Sequence, residues 1–344
     1  MTSDTAPSGA TPTAPSRPAT IYDVASAAGV SHQTVSRLLK GYQGIRPETR
    51  ARVEQALAAL DYRPNLSARS LKSGRSHRIG ALTHETSQVG PSRIAEGASA
   101  AAREAGYLLD LVSLDMRNPH AIEESLDLLT QHTLAGVLAF ASNDEMVHAF
   151  GEVDFRVPVY LEAEADDPRS FSETAITALV EHLASLGHRR LLHIAGPPNW
   201  SPARGRQHAY ESAVHRGGLT SVGVLYGDWS AESGYRALAD VAEIPRATAV
   251  VAANDQMALG AMLALKERGL RVPDDVTVVG VDDIPEAAYF DPPLTTVRND
   301  FEATGRTAVQ RLIARIEGTA APVTAPREAR LVVRRSSGAA PAGH

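Results

Sequence analysis

From Arg78 onward the chain repeats one pattern: a short apolar run, a longer amphipathic stretch, then another apolar run. Few folds accept that pattern. Short runs rich in Val, Ile, Leu and Ala read as strands buried on both faces, and each amphipathic stretch can cover one of those faces. The apolar runs are 79–83, 108–114, 136–140, 157–161, 191–195, 222–226, 249–253, 276–281 and 331–333. The amphipathic stretches between them are 92–105, 121–131, 172–186, 203–216, 231–241, 256–268 and 302–317. Regular alternation of this kind predicts doubly wound parallel sheets in an α/β body. One sheet of usual size does not hold so many strands, so two similar lobes are expected. Ligands in such folds bind between the lobes, at the C-terminal ends of the strands.

Upstream the texture differs. Residues 1–19 are mostly Ser, Thr, Ala and Pro without a core-forming pattern, and read as a disordered tail. Thr20 with Asp23 three positions on has the form of a capping box, Asp standing in for the usual Glu. Ile21, Val24, Ala25 and Ala28 then recur at helical spacing, and Gly29 ends that helix. Ser31 can cap a second helix with Val35, Leu38 and Leu39 inward. Pro47 suits the first turn of a third, with Val53, Ala56, Leu57 and Leu60 as its apolar stripe. Three short helices with a tight glycine turn between the first two make an all-α helix-turn-helix head at 20–64. In the linker at 65–76, Asn65 can cap a helix of about two turns, too short to hold by itself in water.

Charge divides the chain the same way. The net charge is −6, yet residues 17–78 carry eleven Lys/Arg against four acids, leaving −13 for the rest. A small basic head on a large acidic body points to a polyanion as the partner of the head. The absence of cysteine excludes disulfides, thiolate zinc sites, iron–sulfur clusters and cysteine nucleophiles. No apolar run is long enough to span a membrane, and the start of the chain lacks the basic and apolar parts of a secretory signal, so a cytoplasmic location is expected. Patterns for a P-loop, a zinc protease, a nucleophile elbow and a dinucleotide fingerprint are all missing, and the histidines are scattered. No catalytic residue, metal or cofactor is expected.

The residues Thr20-Ile21-Tyr22-Asp23-Val24-Ala25, Ala28-Gly29-Val30-Ser31 and Gln33-Thr34-Val35-Ser36-Arg37 resemble the DNA-binding head of the LacI family of transcription repressors. Thr49-Arg50, Val53 and Tyr62-Arg63-Pro64-Asn65 extend the match into the linker. A helix starting at Ser31 sets His32, Gln33 and Arg37 where side chains reach a major groove, and Gln and Arg are natural partners of adenine and guanine. The resemblance implies that His32 and Gln33 largely set which bases are read, with Arg37 a further base contact. It makes Tyr22, Thr34, Ser36, Tyr42 and Thr49 phosphate contacts, which fix register. The match Asn65-x-x-Ala68-Arg69-x-Leu71 implies a hinge helix that folds on DNA, with Leu71 wedged into the minor groove.

The resemblance runs to about residue 335 and implies a body like periplasmic sugar-binding proteins, placed at 77–335. Glu162, Asn254 and Asp282 follow predicted strands and Arg206 lies near the start of a predicted helix, so all four can converge on a cleft and bond sugar hydroxyls. Trp229 can pack against a pyranose face. His84, Ile94, Asn299 and Phe301 join them as pocket positions of the family. Asp228-Trp229-Ser230-Ala231, Ala253 to Met262 and Pro292-Pro293-Leu294-Thr295-Thr296 are closest to galactoside-responsive members, which implies a small neutral sugar effector. Glu162 stands where those members have Asp, His84 replaces a serine and Arg103 an acid, so a pentose, a purine or a phosphorylated sugar stays open. A glycosidase using Glu162 and Asp282, or a plain sugar-binding protein, would have no use for the basic head. Beyond Arg335 there are no heptad leucines, so 336–344 reads as a second disordered tail and the assembly as a homodimer on a pseudopalindromic double-stranded operator.

Overall fold

The computed structural model describes residues 19–39, 41–62, 76–84, 86, 88–114, 118, 120–140, 143–162, 170–242, 246–323 and 329–341. The expected hinge residues Asn65, Ala68, Arg69 and Leu71, and the N-terminal tail before Ala19, lie outside them. The chain divides into two compact units, one up to Ser76 and one from His77.

The first unit holds α1 (Ile21–Ala28), α2 (His32–Leu39) and α3 (Pro47–Ala59). Its start is the expected reciprocal cap: Thr20 Oγ1 accepts from the Asp23 N–H at 3.3 Å, while the Asp23 carboxylate accepts from the Thr20 N–H at 2.8 Å. Gly29 closes α1 at φ 63°, a left-handed conformation that costs glycine nothing and turns the chain towards α2. Val24, Ala25, Ala28, Val35, Leu38, Val53 and Ala56 form one small core among the three helices. Leu60 does not join it. It sits at the exposed C-cap of α3, one residue past the last helical position, so the apolar stripe ends at Leu57.

The second unit is built from two parallel sheets. Its elements run β1 (Arg78–His84), α4 (Val89–Glu104), β2 (Leu108–Leu114), α5 (Ala121–Thr130), β3 (Gly136–Phe140), α6 (Asp144–Glu152) and β4 (Val159–Glu162) in the first lobe. The second lobe follows with α7 (Phe171–Ser185), β5 (Arg190–Ala195), α8 (Ser201–Arg216), β6 (Thr220–Tyr226), α9 (Ala231–Ala239), β7 (Ala249–Ala252), α10 (Asp255–Glu267) and β8 (Thr277–Val279). A short 3-10 turn (Pro285–Tyr289), β9 (Thr296–Arg298), α11 (Phe301–Glu317) and β10 (Arg330–Val332) complete it. Strand order is β2-β1-β3-β4 in one sheet and β6-β5-β7-β8 in the other, the same topology twice. Helices cover both faces, with separate apolar clusters on the two sides of each sheet. The lobes are not sequential: α11 returns to the first lobe, where Ala308, Val309 and Leu312 pack with Ile79, Ala98 and Leu138.

Three elements were not expected. The helix α6 is short and buries only Met146 and Phe150, and β9 and the 3-10 turn lack an apolar pattern. A larger correction concerns the expected tail at 336–344, whose described residues, 336–341, are bonded to the second lobe. Ser336 is fully buried, its Oγ accepting from the Thr295 N–H at 2.8 Å and donating to the Val278 carbonyl at 2.6 Å. Its own carbonyl accepts from the Val278 N–H, and the Ala340 N–H reaches the Leu186 carbonyl, each at 3.0 Å. Backbone bonds, the hydroxyls of Ser336 and Ser337 and polar groups of Thr277, His182 and His188 hold this strap, so no hydrophobic periodicity announced it.

Candidate functional site

Two sites are laid out, one in each unit. In the head, Ser31 Oγ accepts from the Thr34 N–H at 3.3 Å and so starts α2, where Val35 and Leu38 face the core. The opposite face of α2 carries Gln33 and Arg37 exposed one turn apart, with His32, Thr34 and Ser36 half-buried beside them. Two tyrosines flank that face. Tyr22 is 65% exposed with its ring 5.1 Å from His32, and Tyr42 is 53% exposed with Arg37 over its ring at 5.8 Å. Thr49, half-buried at the start of α3, lies beyond. Large aromatic side chains facing water next to a guanidinium and an amide form a surface that protein contacts leave unsatisfied, as a nucleic-acid reading face requires.

In the body, the strand ends of both lobes supply a buried polar cluster. Arg206, on the second turn of α8 and only 6% exposed, donates to Asp282 Oδ1 at 3.2 Å and to the Ala253 carbonyl. Its guanidinium lies 5.5 Å over the Trp229 ring. Asn254 caps α10 by accepting from the Met257 N–H at 2.9 Å, and its amide donates to the Trp229 carbonyl at 2.9 Å. Its second amide hydrogen goes to Gln256 Oε1 at 3.1 Å, so Asn254 positions Trp229 and keeps no donor for a ligand. The Trp229 ring lies on Gly196, where a Cβ would come within 2.5 Å of it, so only glycine fits there. Trp229, Asp282 and Asp283 take positive φ values of 73°, 115° and 53°, backbone strain at adjoining loops that the surrounding bonds must hold.

The loop with Asp282 is anchored from beneath by Asp255, whose carboxylate accepts from the Ile284 N–H at 2.9 Å and from Thr296 Oγ1 at 2.5 Å. Burial, and then the nearby Asp282, push the Asp255 carboxyl well above the usual range. Asp283 is held between Arg298 at 2.6 Å and Arg334 at 2.7 Å. His84, at the end of β1, brings the first lobe into the cluster through Trp200, 4.7 Å away edge to face, and Trp200 stands 6.2 Å from Trp229. Burial pushes the His84 imidazole down to about 4, so it is neutral. Two buried donors in the cluster have no partner: Arg206 Nε and Trp229 Nε1.

The other expected residues fall elsewhere. Asn299 and Phe301 line an adjoining cavity of about 380 Å³ with Asp282, Arg93, Tyr289 and Arg334, and the Asn299 Oδ1 is buried without a partner. Ile94 packs on the apolar cluster shared by α4 and α11. Glu162 accepts from the Tyr160 hydroxyl at 3.0 Å, and that hydroxyl accepts in turn from Arg311 at 2.6 Å, a network between β4 and α11. Trp200 was missed; an aromatic residue in a Pro-Pro-Asn-Trp loop at the end of a strand was its only signal. Among the described residues no group of acids and histidines could hold a metal, and no helix is long and apolar enough to cross a membrane.

Comparison with known proteins finds relatives for both units of the chain. Residues 20–65 match bacterial regulatory proteins of the lacI family, and residues 180–337 match the periplasmic binding protein-like domain. The chain is 35% identical to the lactose operon repressor of Escherichia coli, over 88% of this chain and 86% of that protein. It is 32% identical to the ribose operon repressor of Escherichia coli, over 87% of this chain and 93% of that protein. The crystal structure of the lac repressor dimer bound to operator and the anti-inducer ONPF is similar with a TM-score of 0.83 at 33% identity, covering 94% of this chain and 100% of that one. A basic head with an exposed reading helix, a two-lobed body and relatives that match along both establish the assignment: the chain belongs to the LacI family of bacterial regulatory proteins, which are transcription regulators and not enzymes.

Proposed function

We propose that this regulator is a homodimeric repressor that binds a pseudopalindromic operator and releases it when a small neutral sugar, a galactoside or related glycoside, enters the cleft. The observation that carries the sugar reading is the pair of unpartnered buried donors, Arg206 Nε and Trp229 Nε1, beside the Asp282 carboxylate. Donors and an acceptor against an indole suit a ring with hydroxyls on its edge and C–H groups on its face. His32, Gln33 and Arg37 read bases; Tyr22, Ser31, Thr34, Ser36, Tyr42 and Thr49 fix register on phosphates. Asn65, Ala68, Arg69 and Leu71 form the hinge that folds on DNA, and the effector acts by keeping the two hinges of the dimer apart. Such coupling is worth about 1–3 kcal/mol.

A pentose is the second reading, favoured by the near-equal likeness to the ribose operon repressor and by His84 and Glu162 at positions the galactoside-responsive pattern fills otherwise. The test is fluorescence anisotropy on a labelled DNA fragment from upstream of the chain's own gene, with and without β-galactosides. Tight, salt-sensitive binding abolished by a galactoside is the expected result. Binding that ignores galactosides and yields to ribose or xylose replaces the first sugar by the second. Absence of binding overturns the reading of the α2 face.

A further inference from the structure

Trp200 stands in the cleft without a role so far. It ends the loop after β5, just before α8, is only 9% exposed, and touches both lobes: the imidazole of His84 on one side, the indole of Trp229 on the other. Its backbone is fastened too. Trp200 forms an antiparallel bridge with Asn143, and the Asp144 N–H donates to the Asn199 carbonyl at 3.4 Å. One turn into α8, Arg204 grips the Asp144 carboxylate with both terminal nitrogens, at 2.7 and 2.9 Å. The loop from Pro197 to Trp200 is thereby tied to the start of α6 across the seam, and the indole is held there instead of swinging into solvent.

An indole held at the seam has two effects on what enters. It takes up a volume comparable to a sugar ring, beside the one place where the free donors of Arg206 and Trp229 can serve a ligand. It also presents a hydrocarbon wall. A second ring turned with its hydroxyls to that wall would lose water there and gain no partner, a penalty on the order of tenfold to a hundredfold. We infer that Trp200 is a specificity-determining residue of the cleft, one that restricts the effector to a single sugar ring with at most a small aglycone. This rests on the reading of the cleft as the effector site.

Release of the labelled operator from the full-length protein tests it, using galactose, xylose, ribose and methyl β-galactoside as one-ring probes and lactose and cellobiose as two-ring probes. The unaltered protein is expected to respond to a one-ring probe at concentrations at least about tenfold below any two-ring probe. Trp200→Ala should raise the one-ring requirement by about tenfold and lower the two-ring requirement by a similar factor, a range reached by single pocket contacts. Trp200→Phe, which keeps an aromatic wall and a safer fold, should lie between. The chain has two tryptophans, both in this cleft, so an emission shift on adding sugar reports occupancy independently of DNA. A two-ring preference in the unaltered protein, or an unchanged size order in both variants, overturns the inference while leaving the sugar-responsive repressor intact. Silence of the unaltered protein to every sugar, in release and in emission, removes the effector reading itself and the inference with it.

Discussion

The reading face of the head and the cleft of the body treat their polar groups in opposite ways. Gln33, Arg37, Tyr22 and Tyr42 point into solvent from one small helical unit, and the fold makes little use of their polar ends. Asp282, Asn254 and Trp229 are drawn from three separate strand-to-helix connections and Arg206 from the second turn of α8; they are largely buried and bonded to one another. The first arrangement separates stability from recognition. The second fuses them under the proposed reading, because the side chains offered to an effector, Arg206 and Trp229, also hold up their neighbours.

That contrast sets the order of what substitution should do. The largest effect is expected at Arg206→Ala, which removes the guanidinium that bonds Asp282 and the Ala253 carbonyl and lies over the Trp229 ring. Breaking a buried pair costs about 3–5 kcal/mol, so the urea midpoint of the body should fall steeply and effector response should disappear together with it. An unchanged midpoint would mean that the cleft, like the head, keeps recognition apart from stability.

Acid should strain the body next. Burial holds His84 and the fully buried His193 at about 4, while in the unfolded chain each titrates near 6.5. Above pH 6.5 neither state takes up these protons and nothing is lost. As pH falls from 6.5 towards 4 the unfolded chain binds protons that the folded body refuses, so stability drops, by up to about 3 kcal/mol for each histidine. Unfolding midpoints measured at steps between pH 7.5 and 4.5 check this, and His193→Gln should flatten the slope.

Substitutions on the reading face come third. Gln33→Ala and Arg37→Ala should each weaken operator binding by about 1–3 kcal/mol and relax the choice of base at one position, with the melting temperature almost unmoved. Anisotropy on operator variants, paired with thermal unfolding, separates the two effects. A fall in stability as large as the fall in affinity would erase the distinction between head and cleft. The smallest effect is expected from Thr20→Ala. It removes the cap of α1, worth about 1 kcal/mol, and should speed hydrogen exchange of the first amides of α1 while leaving effector response alone.

Legibility followed the same divide. The head could be read because its signals are local: Thr20 with Asp23, Gly29, Ser31 and Pro47 each mark a helix end within a few residues. Repeated β–α alternation made both sheets visible too, with strand limits shifted by a residue or two where polar ends such as Arg190 and Glu162 join the ladder. What the cleft contains was harder, since contact there depends on which loops meet. Asn254 and Asp282 fell in the cluster, but Glu162 turns to Tyr160 and Ile94 to the helix pair, choices made by tertiary neighbours. Trp200 and the strap at 336–341 carried almost no local signal at all.

The strap and α11 also set a timetable. A chain emerging from the ribosome completes its head first, since all three helices and their core lie within the residues up to Tyr62. The first lobe must wait for α11 to supply Ala308, Val309 and Leu312, and the second for Ser336 to seal β8. Neither sheet is finished until the last stretch of the message is translated. Until then, apolar faces of both sheets lie open and invite nascent-chain chaperones or aggregation. A late stop codon would therefore release a polypeptide with a completed head on an unfinished sensor.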